Sequence, residues 1–464
     1  MNYDLIVIGG GPAGYVGAIR AAQLGKKVAC IENDRAGGTC LNWGCIPTKA
    51  LLKNAEFYHN VTERAAEFGL EITGEVKFDW SAVIGRSRKV SEKLAGGIEF
   101  LFKKNKIDYL RGNGSVLGDG KVEVEASDGK KETHTAANVL VATGCTSREL
   151  PFLKYDGEKV ISSREAMVLE KQPKSMVIIG AGAIGAEFAY FYNAYGTEVT
   201  MVEMMDNLLP VEDTEISKAL EKSFKKQGIK FHTKTKTTDA KVTADGVELT
   251  IEPRDGGEAK TLSAEVCLVA VGVQPVLPGG GDKLKLTDRG YIETGDRYET
   301  NMPNVYAAGD IIGPPWLAHV ASFEATHAVD GMFVAGHVPK KVSLFPGCTY
   351  CHPEVASVGI TERAAKEKGI EYKVGKFPFG ASGRALAAGE PEGFVKLLFG
   401  AEHGELIGAH IIGAEATELI AEMGLALNLE VCGEDLEATI HAHPTLSEAI
   451  HEATGDAFGH AIHI

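Results

Sequence analysis

The sequence predicts an α/β fold with two doubly wound halves and a C-terminal α+β domain. Three observations carry that prediction. A glycine cluster, Gly9-Gly10-Gly11-Pro12-Ala13-Gly14, follows an apolar strand-like run at 3–8 and opens an alanine-rich helical pattern at 15–24. The same arrangement returns at Gly180-Ala181-Gly182-Ala183-Ile184-Gly185, after a run at 176–179. The last 120 residues, from about Phe345, mix strand patterns at 395–399 and 406–412 with a long amphipathic helix at 416–427.

In the first cluster, the second strand pattern, 27–31, ends in Glu32, 18 residues after Gly14. Glycines at 9, 11 and 14 let a backbone turn tightly and approach a pyrophosphate at a helix N-terminus, while a carboxylate at the next strand end accepts from a ribose. This is the fingerprint of a Rossmann-like dinucleotide-binding domain. Its repeat uses Gly180, Gly182 and Gly185, and the strand at 198–202 ends in Glu203, again 18 residues after the last glycine. A terminal acid favours a free 2′-hydroxyl, hence NAD; a 2′-phosphate would call for arginine, and 204–209 has none. The alternative is that Glu203 is a solvated strand end. Two dinucleotide sites in one chain permit electrons to pass between two cofactors.

A chain of 464 residues is too long for one core and suggests three or four domains. With 44% apolar and 24% charged residues it is globular, and 55 glycines suit several tight nucleotide-binding turns. The net charge of −15 argues against nucleic acid or an anionic membrane as partner. No run approaches the ~20 apolar residues of a membrane span. The strand pattern begins by Tyr3, which leaves no room for a signal or transit peptide. Eight cysteines without a framework spacing fit a reducing compartment. Bacterial cytoplasm is the expected location, with a processed mitochondrial matrix protein as the alternative.

Between the two fingerprints lies Gly37 to Leu52, GGTCLNWGCIPTKALL, with Cys40 and Cys45 five residues apart. On a regular helix that spacing separates them by about 7.5 Å along the axis and roughly 140° around it. A disulfide needs Cα atoms within about 7 Å and converging Cβ vectors, so pairing requires a distortion, which Gly44 eases. The helical run after Pro47 puts Cys45 near a helix N-terminus, where a thiolate is stabilised. The two readings are a dithiol redox centre and a pair of ordinary reduced thiols. Helical patterns follow at 53–110, notably 81–104, as cover for the pair. Hairpin strands follow at 111–141, with Gly112, Gly114, Gly118 and Gly120 at turns.

This segment resembles the redox-active disulfide of the two-dinucleotide-fold flavoprotein disulfide reductases, and the LNWGCIPTKALL wording is nearest to members that oxidise dihydrolipoamide. The resemblance runs from Tyr3 to about Ala453, with motifs in the family's order. It implies an FAD domain (1–147), an NAD domain (148–273), a central return to the flavin domain (274–344) and a dimer-interface domain (345–464). For FAD it implies Gly9, Gly11, Gly14, Glu32, Thr39, Lys49, Gly114, Thr143 and Gly144 (the ATG strand end), Asp310 on the ribityl chain, Ala318 and His319. For NAD it implies Gly180, Gly182, Gly185, Glu187, Glu203 and Gly272. It places Lys49 and Glu187 near the flavin's reactive nitrogen. It also implies Cys40 as the more exposed interchange thiol and Cys45 against the flavin. The likeness lapses at Gly272-Val273-Gln274-Pro275-Val276, where relatives continue Gly-Arg-x-Pro-Asn. Its implied partners are a second copy of the chain, dihydrolipoamide, and the lipoyl-bearing acyltransferase of 2-oxo acid dehydrogenase complexes.

The segment His441-Ala442-His443-Pro444-Thr445-Leu446-Ser447-Glu448 supplies a base. A neutral imidazole can take a thiol proton, and a carboxylate five residues on can orient it. His441 and His443 compete for this role, and only His443 matches the family's position before proline, with Glu448 as its partner. Two histidines near a glutamate also raise a metal reading, but helical zinc pairs favour HExxH spacing, so no metal is expected. Cys348-Thr349-Tyr350-Cys351 is a CxxC with no partner motif for zinc, and its strand context predicts buried, inert thiols.

Overall fold

The first apolar run becomes a strand, Asn2–Ile8, near the centre of a seven-stranded sheet. Val28–Glu32 and Lys131–Val141 flank it in parallel, and Asp108–Arg111 extends the sheet beyond Val28–Glu32. On the other side Lys121–Glu125 and Asn113–Gly118 add antiparallel hairpins. The strand's alternation sorts its side chains between two cores. Leu5 and Val7 pack with Ala18, Ala21, Leu140 and Val329, while Ile6 and Ile8 pack with Ala29, Ile31, Val122 and Val139. Val305–Ala307 returns late in the chain to pair in parallel with Val139, Leu140 and Val141. The computed structural model describes residues 2–464 and divides into two units: residues up to 50, 82–148 and 272–343 in one, and 51–81, 149–271 and 344–464 in the other.

The second unit contains the repeat. Ser175–Ile179, Glu198–Val202, Lys230–His232, Val266–Val269 and Val160–Ile161 form a parallel five-stranded sheet, accompanied by a three-stranded antiparallel sheet. Helix Ala183–Ala194 buries Phe188, Phe191 and Tyr192. Trp80 packs on Phe191 with ring centroids 5.6 Å apart, and Tyr58 stacks on Tyr195 at 5.0 Å. The C-terminal part is an antiparallel sheet in the order Gly347–Thr349, Glu354–Gly359, Leu406–Gly413, Gly393–Gly400, Tyr372–Pro378, against which Ala416–Asn428 and Glu448–Phe458 pack.

One buried charge stands out in this unit. Lys396, fully buried, reaches Asp213 at 2.9 Å, Glu362 at 2.7 Å and Glu215 at 3.0 Å. Burial alone would discharge the ammonium, but the three carboxylates outweigh it and hold its pKa above the usual lysine value. The cluster ties the N-cap of helix Thr214–Lys226 to the start of helix Glu362–Lys368.

Both fingerprint helices start earlier than their alanine patterns suggest, at Pro12 and Ala183. Pro12 takes the first helical position, where it forfeits no hydrogen bond. Gly114 lies inside the strand Asn113–Gly118, paired with Val124, rather than at a turn, and a Cβ there would come within 2.6 Å of Ile8 Cγ2.

Candidate functional site

The two glycine loops are built alike, residue for residue. Gly9 and Gly180 adopt φ of +104° and +99°, and a Cβ on either would lie 2.2 Å from Ala142 O or 2.4 Å from Ala270 O. A Cβ on Gly14 would strike Gly9 O at 1.8 Å, and one on Gly185 would strike Gly180 O at 2.1 Å. These four glycines are demanded by the chain's own packing. The middle ones are different: a Cβ on Gly11 would meet only Gly38 Cα at 3.8 Å, and one on Gly182 meets nothing within 4 Å. The space they leave open lies at the helix N-termini, where no side chain caps the free amides. That is a cradle for a pyrophosphate, twice over.

The two strand-end acids also repeat. Glu32, buried, accepts from Gly10 N at 2.7 Å and from Asp34 N at 2.8 Å; Glu203, buried, accepts from Ala181 N and Met205 N, both at 2.7 Å. Neither is a solvated strand end. Each carboxylate staples its glycine loop to the following turn and keeps second lone pairs for ribose hydroxyls.

The cysteine segment presses directly on the first loop. Gly37 N donates to Gly10 O at 2.8 Å, and a Cβ on Gly38 would fall 2.5 Å from Gly11 Cα. A short helix, Gly38–Trp43, carries Thr39 and Cys40; Gly44 breaks it at φ −152°, ψ −114°, and Cys45 opens the helix Cys45–Glu63. The break supplies the distortion that the spacing required, and the two thiols meet in a hydrogen bond. That bond, with burial, pushes the Cys40 thiol far above its ordinary value, while the Lys49 ammonium pulls the other way. Both cysteines are half-buried. Helix Trp80–Lys104 covers the segment: Arg88 donates to Asn42 O at 2.8 Å with its guanidinium over Trp43, and Arg86 donates to Ala50 O at 2.9 Å.

At the end of Lys131–Val141, Thr143 buries an Oγ1 that has no hydrogen-bond partner, and Gly144 turns at φ +68°. Asp310 follows the returning strand Val305–Ala307, and burial pushes its carboxyl up to about 6. Its neighbour Gly309 N donates to Glu324, whose carboxyl burial raises to about 7 against that bond. Helix Ala318–Phe333, carrying Ala318 and His319 in its first turn, starts without a side-chain cap. An orphaned hydroxyl, a half-buried acid and an open cradle suit the hydroxyls and phosphates of a dinucleotide. Gly272, at φ +100°, begins the return segment by accepting from Arg148 N at 3.0 Å, and Val273–Pro275 pairs with Cys145–Ser147. In the second unit Glu187, buried, accepts from Tyr350 N at 3.0 Å. Cys351 is buried against Pro353 O and Cys348 half-buried. Among the described residues, no group of three or more histidine, cysteine or acidic side chains is placed to hold a metal.

The two candidate bases separate cleanly. His443, with its side chain 80% exposed, shares a hydrogen bond through Nδ1 with Glu448 Oε1 at 2.9 Å. Glu448 Oε2 accepts from Thr445 N at 2.8 Å. Against the effect of burial, that amide and the imidazole hold the Glu448 carboxyl below its usual range. His441, 7% exposed, is turned instead to Glu422 at 2.8 Å. Sequence reasoning missed Glu324 and Glu422: each lies mid-helix, and its partner is brought to it by tertiary packing.

The profile of the pyridine nucleotide-disulphide oxidoreductases matches residues 3–325, and that of the family's dimerisation domain matches residues 345–454. The chain is 46% identical over 456 residues to a dihydrolipoyl dehydrogenase of Chlorobaculum parvum, covering 97% of this chain and 96% of that one. It is 43% identical over 466 residues to a mitochondrial dihydrolipoyl dehydrogenase of Pisum sativum, covering 99% and 92%. The crystal structure of LpdA from Mycobacterium tuberculosis superposes with a TM-score of 0.89 at 27% identity, covering 97% and 98%. The HOCl-induced flavoprotein disulfide reductase RclA from Escherichia coli shares the fold, at a TM-score of 0.85 and 23% identity, covering 98% of this chain and 99% of that one.

Proposed function

The chain belongs to the pyridine nucleotide-disulphide oxidoreductase family, and from that premise we propose that it is an NAD-dependent dihydrolipoyl dehydrogenase. It converts the dithiol of protein-bound dihydrolipoamide to the disulfide of lipoamide; two electrons and one proton reduce NAD⁺ to NADH, and the second proton is released. The observation that carries this reading is the Cys40–Cys45 pair, broken across Gly44 and pressed against the first of two matching dinucleotide cradles. Bound in that first cradle, FAD would supply the two-electron chemistry that links the cysteine pair to NAD⁺. Gly9, Gly11, Gly14, Glu32, Thr39, Lys49, Gly114, Thr143, Gly144, Asp310, Ala318 and His319 hold FAD; Gly180, Gly182, Gly185, Glu187, Glu203 and Gly272 hold NAD.

The chain's own residues perform the thiol chemistry. In the oxidised enzyme Cys40 and Cys45 are a disulfide. His443 Nδ1 is engaged by Glu448, so Nε2 is the nitrogen that takes the proton from a lipoyl thiol. The lipoyl thiolate attacks Cys40 Sγ, the Cys40–Cys45 bond breaks, and Cys45 leaves as a thiolate. Cys45 suits that departure because it opens a helix of 19 residues whose first-turn amides face it, with Lys49 one turn on. The second lipoyl sulfur then displaces Cys40, which closes the lipoyl disulfide and leaves both cysteines reduced. Glu448 stabilises the imidazolium while the proton is held.

The domain division proposed from sequence, 1–147, 148–273, 274–344 and 345–464, is supported by the return of Val305–Ala307 to the first sheet. The dimerisation-domain match supports a homodimer, in which His443 of the partner subunit serves each dithiol. The lipoyl arm is carried by the acyltransferase of a 2-oxo acid dehydrogenase complex. No helix among the described residues is long and apolar enough to cross a membrane, and we place the protein in the bacterial cytoplasm. Mixing chains inactivated at Cys40 with chains inactivated at His443 tests the shared site. A hybrid dimer carries both lesions in one site and none in the other, so up to half the wild-type activity per dimer returns. Verified subunit exchange without activity would refute it.

A further inference from the structure

Resting on the reading of His443 as the base, we propose that His441, through Glu422, is the positioning residue that fixes the base's loop in the productive place. His443 is highly exposed and has Glu448 as its one hydrogen-bond partner. Glu448 is steadied by Thr445 N, and Thr445 Oγ1 donates to Ala442 O at 2.6 Å. All of these hydrogen bonds lie within 442–448, and the loop is tied down further by Leu446, which packs against the C-terminal core. Among the described residues, the single hydrogen bond from 440–447 to an element other than the helix it leads into is His441 to Glu422 Oε1, at 2.8 Å. Glu422 stands on helix Ala416–Asn428, whose inner face is packed into the C-terminal core through Ile420 and Met423.

His441 is held on a second side as well. Its ring lies 6.0 Å from that of His451, one turn beyond Glu448 on helix Glu448–Phe458. The imidazole therefore joins the helix that carries the base's carboxylate to the helix that carries Glu422. Nδ1 of both His441 and His451 is buried without a partner. The charged and titratable groups facing His441 are Glu422, His451 and Glu448, and His441 is close enough to contribute to holding Glu448 ionised. Placing a polar ring in this position, with one nitrogen unsatisfied, is worthwhile for a loop whose function depends on placement. A displacement of about 1 Å from a productive geometry costs on the order of 100-fold in rate.

The test uses holoenzyme, four single variants and one double variant. His441→Leu should lower the dihydrolipoamide-dependent kcat/KM by about 10–100-fold, and Glu422→Gln, which keeps an oxygen acceptor, by much less. His441→Gln, whose amide donor reaches Glu422, should recover most of the loss. NADH oxidation by ferricyanide, which bypasses the dithiol and its base, should stay at the wild-type rate in all three. In the His443→Gln background, adding His441→Leu should cost nothing further, because a positioning residue acts only through the base. Wild-type dithiol turnover in His441→Leu overturns the proposal, as does an additive double variant or a parallel loss of ferricyanide activity. If His443→Gln alone is harmless, the base assignment itself has failed, an outcome read separately from the His441 variants.

Discussion

Replacing Glu203 by glutamine separates the two things this carboxylate does. Its oxygens accept from Ala181 N and Met205 N at 2.7 Å, and the side chain is buried. Glutamine retains one acceptor and turns an amide NH₂ toward a backbone N–H that needs one. One charge-assisted bond is lost, worth about 1.5–3 kcal/mol with a buried donor left unmet. If the glycine loop transmits that loss to the bound nucleotide, kcat/KM for NAD⁺ falls by roughly 10–150-fold. For NADP⁺ the same substitution removes a negative charge that a 2′-phosphate would face, so its kcat/KM rises or holds. The NAD⁺/NADP⁺ preference therefore collapses from both sides. Steady-state kinetics at saturating dihydrolipoamide with each nucleotide measures it, and an unchanged far-UV circular dichroism spectrum confirms that the fold is intact. The reasoning is refuted if NAD⁺ kcat/KM stays within twofold of wild type, or if the wild-type enzyme already uses NADP⁺ as well as NAD⁺. Glu32→Gln, the matching change in the first loop, should loosen FAD and leave nucleotide preference alone.

Asp310 offers a prediction with a definite sign. Its folded-state carboxyl is raised to about 6 by burial, above an unfolded value of about 3.9. The flavin-free protein therefore loses stability as pH rises from about 4 to 6, by on the order of 2–3 kcal/mol from this group. Asp310→Asn should raise the melting temperature of the apoprotein at pH 8 while weakening FAD retention in gel filtration; a lower apoprotein melting temperature would contradict it. Lys396→Met leaves Asp213, 2% exposed, facing no cation, a loss of about 3–5 kcal/mol for a broken buried pair. The melting temperature should drop by several degrees at pH 7. The gap between wild type and variant should narrow as pH falls from about 4.5 toward 2. Over that range the Glu362 carboxyl becomes protonated in the unfolded chain, whereas Lys366 and Lys396 keep it ionised in the fold down to about 2. A pH-independent gap would refute the ionic account.

What the sequence discloses is local. Strand, glycine turn, helix and acid follow one another within residues 3–32 and again within 176–203, and each glycine's requirement is met by atoms of the same loop or the adjoining strand, so both loops can be located from the order of residues alone. The distortion at Gly44 is legible for the same reason, although the helix starts at Cys45, ahead of the run after Pro47 in which the sequence suggests it. What cannot be read there arrives from a distance. The hydrogen bond from Gly309 N to Glu324 and the one between His441 and Glu422 join residues on different elements. The sequence can name two histidines as rivals, and only packing shows one buried against a helix and the other at the surface.

The most direct test of the whole account is an anaerobic count of thiols and nucleotide. Oxidised holoenzyme mixed with excess dihydrolipoamide, quenched by acid, cleared of the small thiol and then titrated, should show two more reactive thiols per chain than before. Addition of NAD⁺ in place of the excess dithiol should remove both and yield one NADH and one proton per pair. The Cys40→Ser and Cys45→Ser variants should form no NADH from dihydrolipoamide. NADH formation that proceeds with either cysteine replaced, or without the appearance of two thiols, would contradict the claim that this dithiol carries the electrons.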